Sequence, residues 1–338
     1  MRKVTTVAAV EAMIGTPPAM VLNKATAAFD DGCRDVLAHA AVAGFGYRDD
    51  DGVPHTTIVG GAPGFARAET PTRLSFSLPD GVPRPVGGAS LVFLLPGVGE
   101  TLRVSGSVTG VSGSRVTLGL HEAWVHCARC VLRSGLWREA HGEPDGTLPG
   151  FLAASPFALV SSWDGEGHGT TSPKGDPPGF VRVIDEHTLA IPDRRGNKRA
   201  DTFRNLMTCD EVALAALVPG RADVLHVSGR AYVSDDPALL STMALKGKPP
   251  HAALVIHVDR AEVRANEALR ASRLWDRSAH VDPARAPDLM AVAARHLADN
   301  KATTSVTRVM AKGLAATSGL ARRAVDAGYR KELRDEGY

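Results

Sequence analysis

Residues 62–80 read APGFARAETPTRLSFSLPD, and residues 177–193 read PPGFVRVIDEHTLAIPD. Two more pairs follow in the same order. LVFLLPGVGETLRVSGSV (91–108) answers VALAALVPGRADVLHVSGRAYV (212–233), and SGLW (134–137) answers SRLW (272–275). Three landmarks in one order mark an internal duplication, and two copies are too few for a solenoid. The pattern predicts a fused pair of domains, an arrangement that often replaces a homodimer. The offset between copies grows from 115 positions at Gly64/Gly179 to 123 at Pro96/Pro219 and 138 at Trp137/Trp275. Copy two therefore holds two segments that copy one lacks. One is RRGNKRADTFRNLMT (194–208), where copy one has GVPRPVGGAS (81–90). The other is the helix-like DDPALLSTMALKGKPP (235–250), where copy one has VSGSR (111–115).

Composition sets the outer bounds. The chain has 338 residues, enough for two ordinary domains with extensions. Hydrophobic residues make up 44% and charged residues 22%, the balance of a soluble globular protein. With 34 Gly and 22 Pro, short strands joined by many turns are favoured over a helical bundle. A net charge of +2 and 5% aromatic content argue against nucleic acid as a partner. No apolar run approaches the ~20 residues of a membrane helix, so no membrane partner is expected. Glu11 interrupts the N-terminal apolar stretch and no secretory pattern follows it, which makes the cytoplasm the default compartment. Four cysteines (Cys33, Cys127, Cys130, Cys209) are too sparse for a disulfide framework.

Residues 1–40 read as mostly helical, with Pro17-Pro18 as a break. A first strand-rich repeat is expected over 41–138, with strands at 74–78, 91–95, 101–108 and 115–120. A Gly/Pro/charge-rich linker (138–150) leads to a second repeat over 150–278. Its strands are expected near 158–162, 180–184, 188–191, 212–218, 224–233 and 252–263, with Asp164-Gly165 as a hairpin turn. Residues 282–338 read as a helical extension carrying Arg308, Lys312, Arg322, Arg323, Arg330 and Lys331. Such a tail usually packs on the domain or on a second subunit, and a further homodimer through it stays open. A contact with an anionic ligand is the sharper alternative. The fold class expected is mainly β: two antiparallel barrels with peripheral helices.

One stretch is more specific. Ser172-Pro173-Lys174-Gly175-Asp176-Pro177-Pro178-Gly179-Phe180-Val181-Arg182-Val183 is followed by Ile191-Pro192-Asp193-Arg194, Gly196-Asn197-Lys198-Arg199 and Arg204-Asn205-Leu206. Together these closely resemble the pyridoxamine-phosphate-oxidase-like group of FMN-binding split β-barrel proteins. VTTVAAVEAMIGTPP near the N-terminus, His126-Cys127-Ala128-Arg129 and Arg133-Ser134-Gly135-Leu136-Trp137 fit the same group. The resemblance covers roughly residues 4–278. It implies six-stranded split barrels that dimerise and bind flavin in the crevice between them, here as an intramolecular pseudo-dimer.

On that reading Ser172, Pro173, Lys174, Gly175, Asp176, Pro192, Arg194, Asn197, Lys198 and Arg199 are cofactor-binding. An FMN phosphate is a dianion, and Lys174, Asn197, Lys198 and Arg199 would meet it beside a helix beginning near Asp201. Lys174 stands where the family usually has Arg, and Arg195 where it has Pro. Copy one lacks the cationic loop, whereas copy two lacks the His-Cys pair. The economical expectation is one composite site with one FMN. His126 and Cys127 are its candidate catalytic residues, and Arg133, Trp137 and His168 line its substrate side. A histidine at a strand end is more often structural, but facing a flavin its pKa suits proton transfer. Cys127 and Cys130 form a CxxC, and with His126 and His121 a metal would need all four; no metal is expected. The function implied is an FMN-dependent oxidoreductase acting on a small molecule. Duplication with asymmetric loss suits a narrowed role, such as a tailoring step in specialised metabolism. The alternatives are F420 or haem as cofactor, or a non-catalytic flavin-binding or scaffold protein.

Overall fold

The structure is a computed structural model and describes residues 1–138, 144–282, 284–316, 328–329, 331 and 333–334. The chain opens with strand β1 (Lys3–Val4) and helices α1 (Val7–Ile14), α2 (Ala19–Leu22) and α3 (Asp31–His39). Unit one follows: β2 (Val42–Asp49), β3 (Pro54–Gly60), β4 (Arg67–Thr70), β5 (Arg73–Ser77), β6 (Pro85–Leu94), β7 (Thr101–Ser112), β8 (Arg115–His126) and α4 (Arg129–Ser134). Unit two begins with α5 (Leu148–Ala154), β9 (Phe157–Trp163), β10 (Gly169–Gly175), β11 (Arg182–Asp185), β12 (Thr188–Asp193) and α6 (Asp201–Asn205). It continues with β13 (Glu211–Leu217), β14 (Asp223–Ser234), α7 (Pro237–Thr242), β15 (Ala252–Ala265) and α8 (Glu267–Ser272). Helices α9 (Leu289–Asp299) and α10 (Ser305–Ala316) come last. Among the described residues no helix is long and apolar enough to cross a membrane.

The two units repeat one topology. Sheet one runs β3-β2-β6-β7-β8-β5-β4, and sheet two runs β10-β9-β13-β14-β15-β12-β11. Strand for strand these are the same order. Sheet one has seven strands and sheet two has eight, the eighth being β1 against β14, where the resemblance implies six. Of the extra ones, β4 and β11 are four residues long, returned by tight turns at Pro71-Thr72 and Glu186-His187. The two segments absent from copy one form the loop leading into α6 and the region of α7.

Each unit has its own core. Leu74, Phe76, Leu91, Phe93, Leu102 and Val104 anchor the first, and Val160, Leu189, Ile191, Leu214, Leu225 and Leu254 the second. The terminal helices are exchanged between them. Val10 of α1 lies in the core of unit two, and β1 pairs with β14. Leu289 and Val292 of α9 lie in the core of unit one, beside Cys33, Val36 and Leu37 of α3. The N-terminal helical segment is thus divided, with its start on unit two and its end on unit one. Of the tail, α9 and the first part of the expected 303–334 helix are helical as expected. Arg322, Arg323 and Arg330 lie outside the described residues.

A third apolar cluster joins the units. Val42, Ile58, Val92 and Leu94 of unit one meet Phe157, Leu159, Leu217 and Val224 of unit two. At its centre is a buried hydroxyl cluster. Thr56 Oγ1 donates to Ser161 Oγ at 2.7 Å, and Thr171 Oγ1 pairs with Ser161 at 2.8 Å and Ser90 at 2.6 Å. Gly44 and Gly46 of β2 make this approach fit, since a Cβ on Gly44 would collide with Leu159 and one on Gly46 with Ser161 and Thr171. Gly46→Val should therefore cost about 1–3 kcal/mol by overpacking. Chemical denaturation of the variant checks this; an unchanged midpoint would show that the interface is looser than described.

Candidate functional site

A cavity of about 420 Å³ opens where the two units meet. Unit two supplies β10 from Ser172 to Gly175, Asp176, and the segment from Pro192 to Phe203; unit one supplies Arg103 of β7 and His126, Cys127, Arg129, Cys130 and Arg133 around the start of α4. Ile14 of α1 and His251 complete the wall. Helix α4 lies directly on β10, and a Cβ on Gly175 would collide with the Cys130 carbonyl. Glycine there is a packing requirement.

The cations around the cavity differ in their freedom. Arg194 Nε donates to Asp176 at 2.8 Å, and its Nη2 donates to the Met243 carbonyl at 3.0 Å. Lys174 Nζ lies 3.4 Å from Asp193. Arg199 pairs with Glu122 of unit one, donates to Asp201 at 2.9 Å, and lies over the Trp124 ring at 4.1 Å. Burial opposes its charge, but Asp201 and Glu122 raise its pKa nonetheless. Arg199 is therefore a clamp between the units. Lys198 has no ion pair among the described residues and sits at φ 61°, with Ala200 at φ 51°. These two left-handed positions turn the loop tightly into α6. That helix is one turn long and has no side-chain cap, so its uncapped first amides matter more than a dipole.

Two cations were not anticipated from sequence. Arg103 is 3% exposed; it lies 3.2 Å from Ser172 Oγ, 3.1 Å from Asp201 and 4.5 Å over the Trp124 ring. Strand parity in LRVSG was the available signal, since it points Arg103 the same way as Thr101 and Ser105. Lys24, in the loop before α3, has no ion pair among the described residues, and burial lowers its pKa. It lies within electrostatic range of Cys127, Arg199 and Arg103, and nothing in its local sequence marks it. Burial, then Arg103, Lys24, Lys174 and Arg133, holds the His126 imidazole well below its usual range. His126 is accordingly neutral at physiological pH. Its Nδ1 is buried without a hydrogen-bond partner among the described residues.

The structure brings together Ser172, Pro173, Lys174, Gly175, Asp176, Pro192, Arg194, Asn197, Lys198, Arg199, His126, Cys127 and Arg133 around this one cavity. Two expected substrate-side residues lie elsewhere. Trp137 donates through Nε1 to the Val98 carbonyl at 2.8 Å and packs on the inter-unit core. His168 stays on the β9–β10 turn, held by Asp164 at 3.1 Å and half exposed. His121 stacks edge-on against His168 instead of joining the CxxC. All four cysteines are free thiols, and burial pushes Cys130 up to about 12.

The family model for pyridoxamine 5'-phosphate oxidase matches residues 145–265. Residues 145–265 form a pyridoxamine 5'-phosphate oxidase-like unit. Similar solved structures include HupZ of Group A Streptococcus, at 20% identity over 35% of this chain and 94% of that one, TM-score 0.29. Another, provisionally assigned as a pyridoxamine 5'-phosphate oxidase, is from Lactobacillus delbrueckii, at 20% over 38% and 100%, TM-score 0.28. A third is HutZ, the haem storage protein of Vibrio cholerae, at 12% over 34% and 89%, TM-score 0.24. A search of curated proteins finds no match.

The oxidase-like unit and unit one also enclose a second cavity, of about 540 Å³, at the position related by the repeat. Strand pairing aligns His226 with Arg103, Glu262 with Trp124 and Arg264 with His126. Arg264 pairs there with Glu262 at 2.8 Å, and Asp80 and Glu267 also face the space. The two cavities therefore differ in charge: the first is cationic, the second mixed.

Burial lowers the pKa of His226, as it does for His126. Both folded-state values lie below the unfolded value of about 6.5, so below that pH the unfolded chain binds more protons. Stability should fall as pH drops from about 6.5, by at most about 1.4 kcal/mol per pH unit for each group. His126→Gln should flatten that slope in pH-dependent melts. An identical slope in the variant would place His126 in contact with solvent.

Proposed function

We propose that the chain is a flavin-dependent oxidoreductase holding one FMN in the cationic composite cavity and acting on a small molecule. The observation that carries this reading is the set of buried polar atoms left without hydrogen bonds around that cavity. Among them are Asn197 Nδ2 on the loop of unit two, and Arg103 Nε and His126 Nδ1 from unit one, while the acceptor Asp201 Oδ2 lies 3.1 Å from Arg103 in an ion pair. Buried polar groups need partners, and Asn197, Arg103 and His126 offer donors or switchable groups in a cationic wall, which an anionic heterocyclic phosphate requires. The residues present thus fit the group.

Bound FMN would supply hydride or electron transfer. Lys174, Asn197 and Lys198 would hold its phosphate, with the backbone amides at the start of α6. Arg199 would act as a positioning residue, fixing the loop against Glu122 and Trp124. The strand from Ser172 to Gly175 would present backbone groups to the polar edge of the ring. On the unit-one side, neutral His126 would offer Nδ1 to the bound molecule as a hydrogen-bonding group rather than as a strong base, while Arg133 and Cys127 face the substrate. The mixed charge of the second cavity disfavours a second dianion there. The chain is then an intramolecular pseudo-dimer with one working site.

The absorption spectrum of the purified chain, with mass identification of what denaturation releases, tests this. FMN at one per chain is the expected result. Lys174→Met with Asn197→Ala should weaken FMN binding by roughly a hundredfold or more, each charge-assisted hydrogen bond being worth about 1.5–3 kcal/mol. A colourless protein that also fails to take up added FMN would overturn the reading.

A further inference from the structure

Outside the composite cavity, α9 docks on α3 with a stripe made of Leu289, Val292, Ala293 and His296. The first three are ordinary core residues. His296 is not, being only 5% exposed in an otherwise apolar contact. Opposite it stands Cys33, fully buried, and the N-cap residue Asp30. His296 Nε2 lies 3.2 Å from Asp30 Oδ2 and 3.9 Å from Cys33 Sγ. All three ligand atoms fall within 4.8 Å of one another.

From these residues we propose a zinc site with three protein ligands, Asp30, Cys33 and His296, which staples the C-terminal helix α9 to unit one. Zinc bonds of about 2.0–2.1 Å to nitrogen or oxygen and 2.3 Å to sulfur give tetrahedral edges of about 3.3 Å for N···O and about 3.6 Å for N···S. The observed separations of 3.2 and 3.9 Å are close to both. Charge balance also fits, since one thiolate and one carboxylate neutralise a dication in a buried place. On metal uptake the Cys33 thiol loses its proton to solvent, and the His296 ring proton moves to Nδ1. Nδ1 is buried without a hydrogen-bond partner among the described residues, so carrying that proton there leaves a donor the metal bond must outweigh. Asp30 Oδ1 keeps its role as cap of α3, accepting from the Cys33 amide at 2.7 Å, while Oδ2 is the ligand. The Asp30 side chain is 39% exposed, which opens a path for the ion and leaves room for a water as fourth ligand.

This geometry spans two segments more than 260 positions apart, on opposite sides of both barrels in sequence. A metal bond there ties the extension to the fold in a way that apolar packing alone does not.

The test uses the full chain, stripped with a chelator and then titrated with zinc against a chromophoric competitor, and in parallel with cobalt. One zinc per chain is expected, together with a cobalt spectrum showing thiolate-to-metal charge transfer. Cys33→Ser should abolish that band and weaken zinc by more than about tenfold. Cys127→Ser should leave both intact, which separates this site from the other thiols. Zinc should also slow amide exchange across 289–299 in the wild type and not in Cys33→Ser. A charge-transfer band that survives Cys33→Ser would overturn the proposal, as would the absence of stoichiometric zinc.

Discussion

The close approach of two sheets governs this molecule. Strands β2, β3 and β6 face β9, β10 and β13 with almost no side chain between them at Gly44 and Gly46. At that distance polar groups are cut off from water, so each must find a partner across the contact. Thr56, Ser90, Ser161 and Thr171 satisfy one another, and Trp163 Nε1 donates across to the Gly88 carbonyl at 2.8 Å. Because the sheets are this close, α4 can rest on β10 and place His126 and Arg103 on the same cavity as Ser172 to Gly175. A looser interface would leave the cationic wall in two halves.

The repeat explains why two cavities exist, and the residues explain why they differ. Each cavity draws on both units, so a change in either copy alters one cavity's wall on one side only. At the first, an aromatic ring carries two guanidinium groups and a clamp to Asp201. At the second, the equivalent ring is Glu262, and it neutralises the equivalent of His126, Arg264. The two segments retained only by copy two are physically linked. Arg194 in the loop donates to the Met243 carbonyl just past α7, so the second insertion braces the first.

The chain termini close the assembly crosswise. Helix α1 packs on unit two, where Glu11 pairs with Arg204 at 2.6 Å, and α9 packs on unit one. Each end of the chain therefore stabilises the unit farther from it along the sequence. Such long-range contacts are slow to form but resist local fraying once made.

Much of this was legible in the sequence for identifiable reasons. Landmarks such as PGF and VSG recur because a duplicated strand order needs the same turns and the same inward residues. The Ser172 to Arg199 stretch was legible because strand, loop and helix start are contiguous, so their chemistry is local. Trp137 and His168 were misplaced because their surroundings come from other elements: Val98 takes the indole, and Asp164 holds the imidazole on its turn. Arg103, Lys24 and the meeting of Cys33 with His296 were invisible because a linear chain carries no record of which faces will touch. The sequence by itself determined the repeat, the strand-rich class and a local cationic loop, all properties of neighbouring residues. Only the tertiary structure decided which cations are clamped and which are free, because burial and pairing are set by the contact between units.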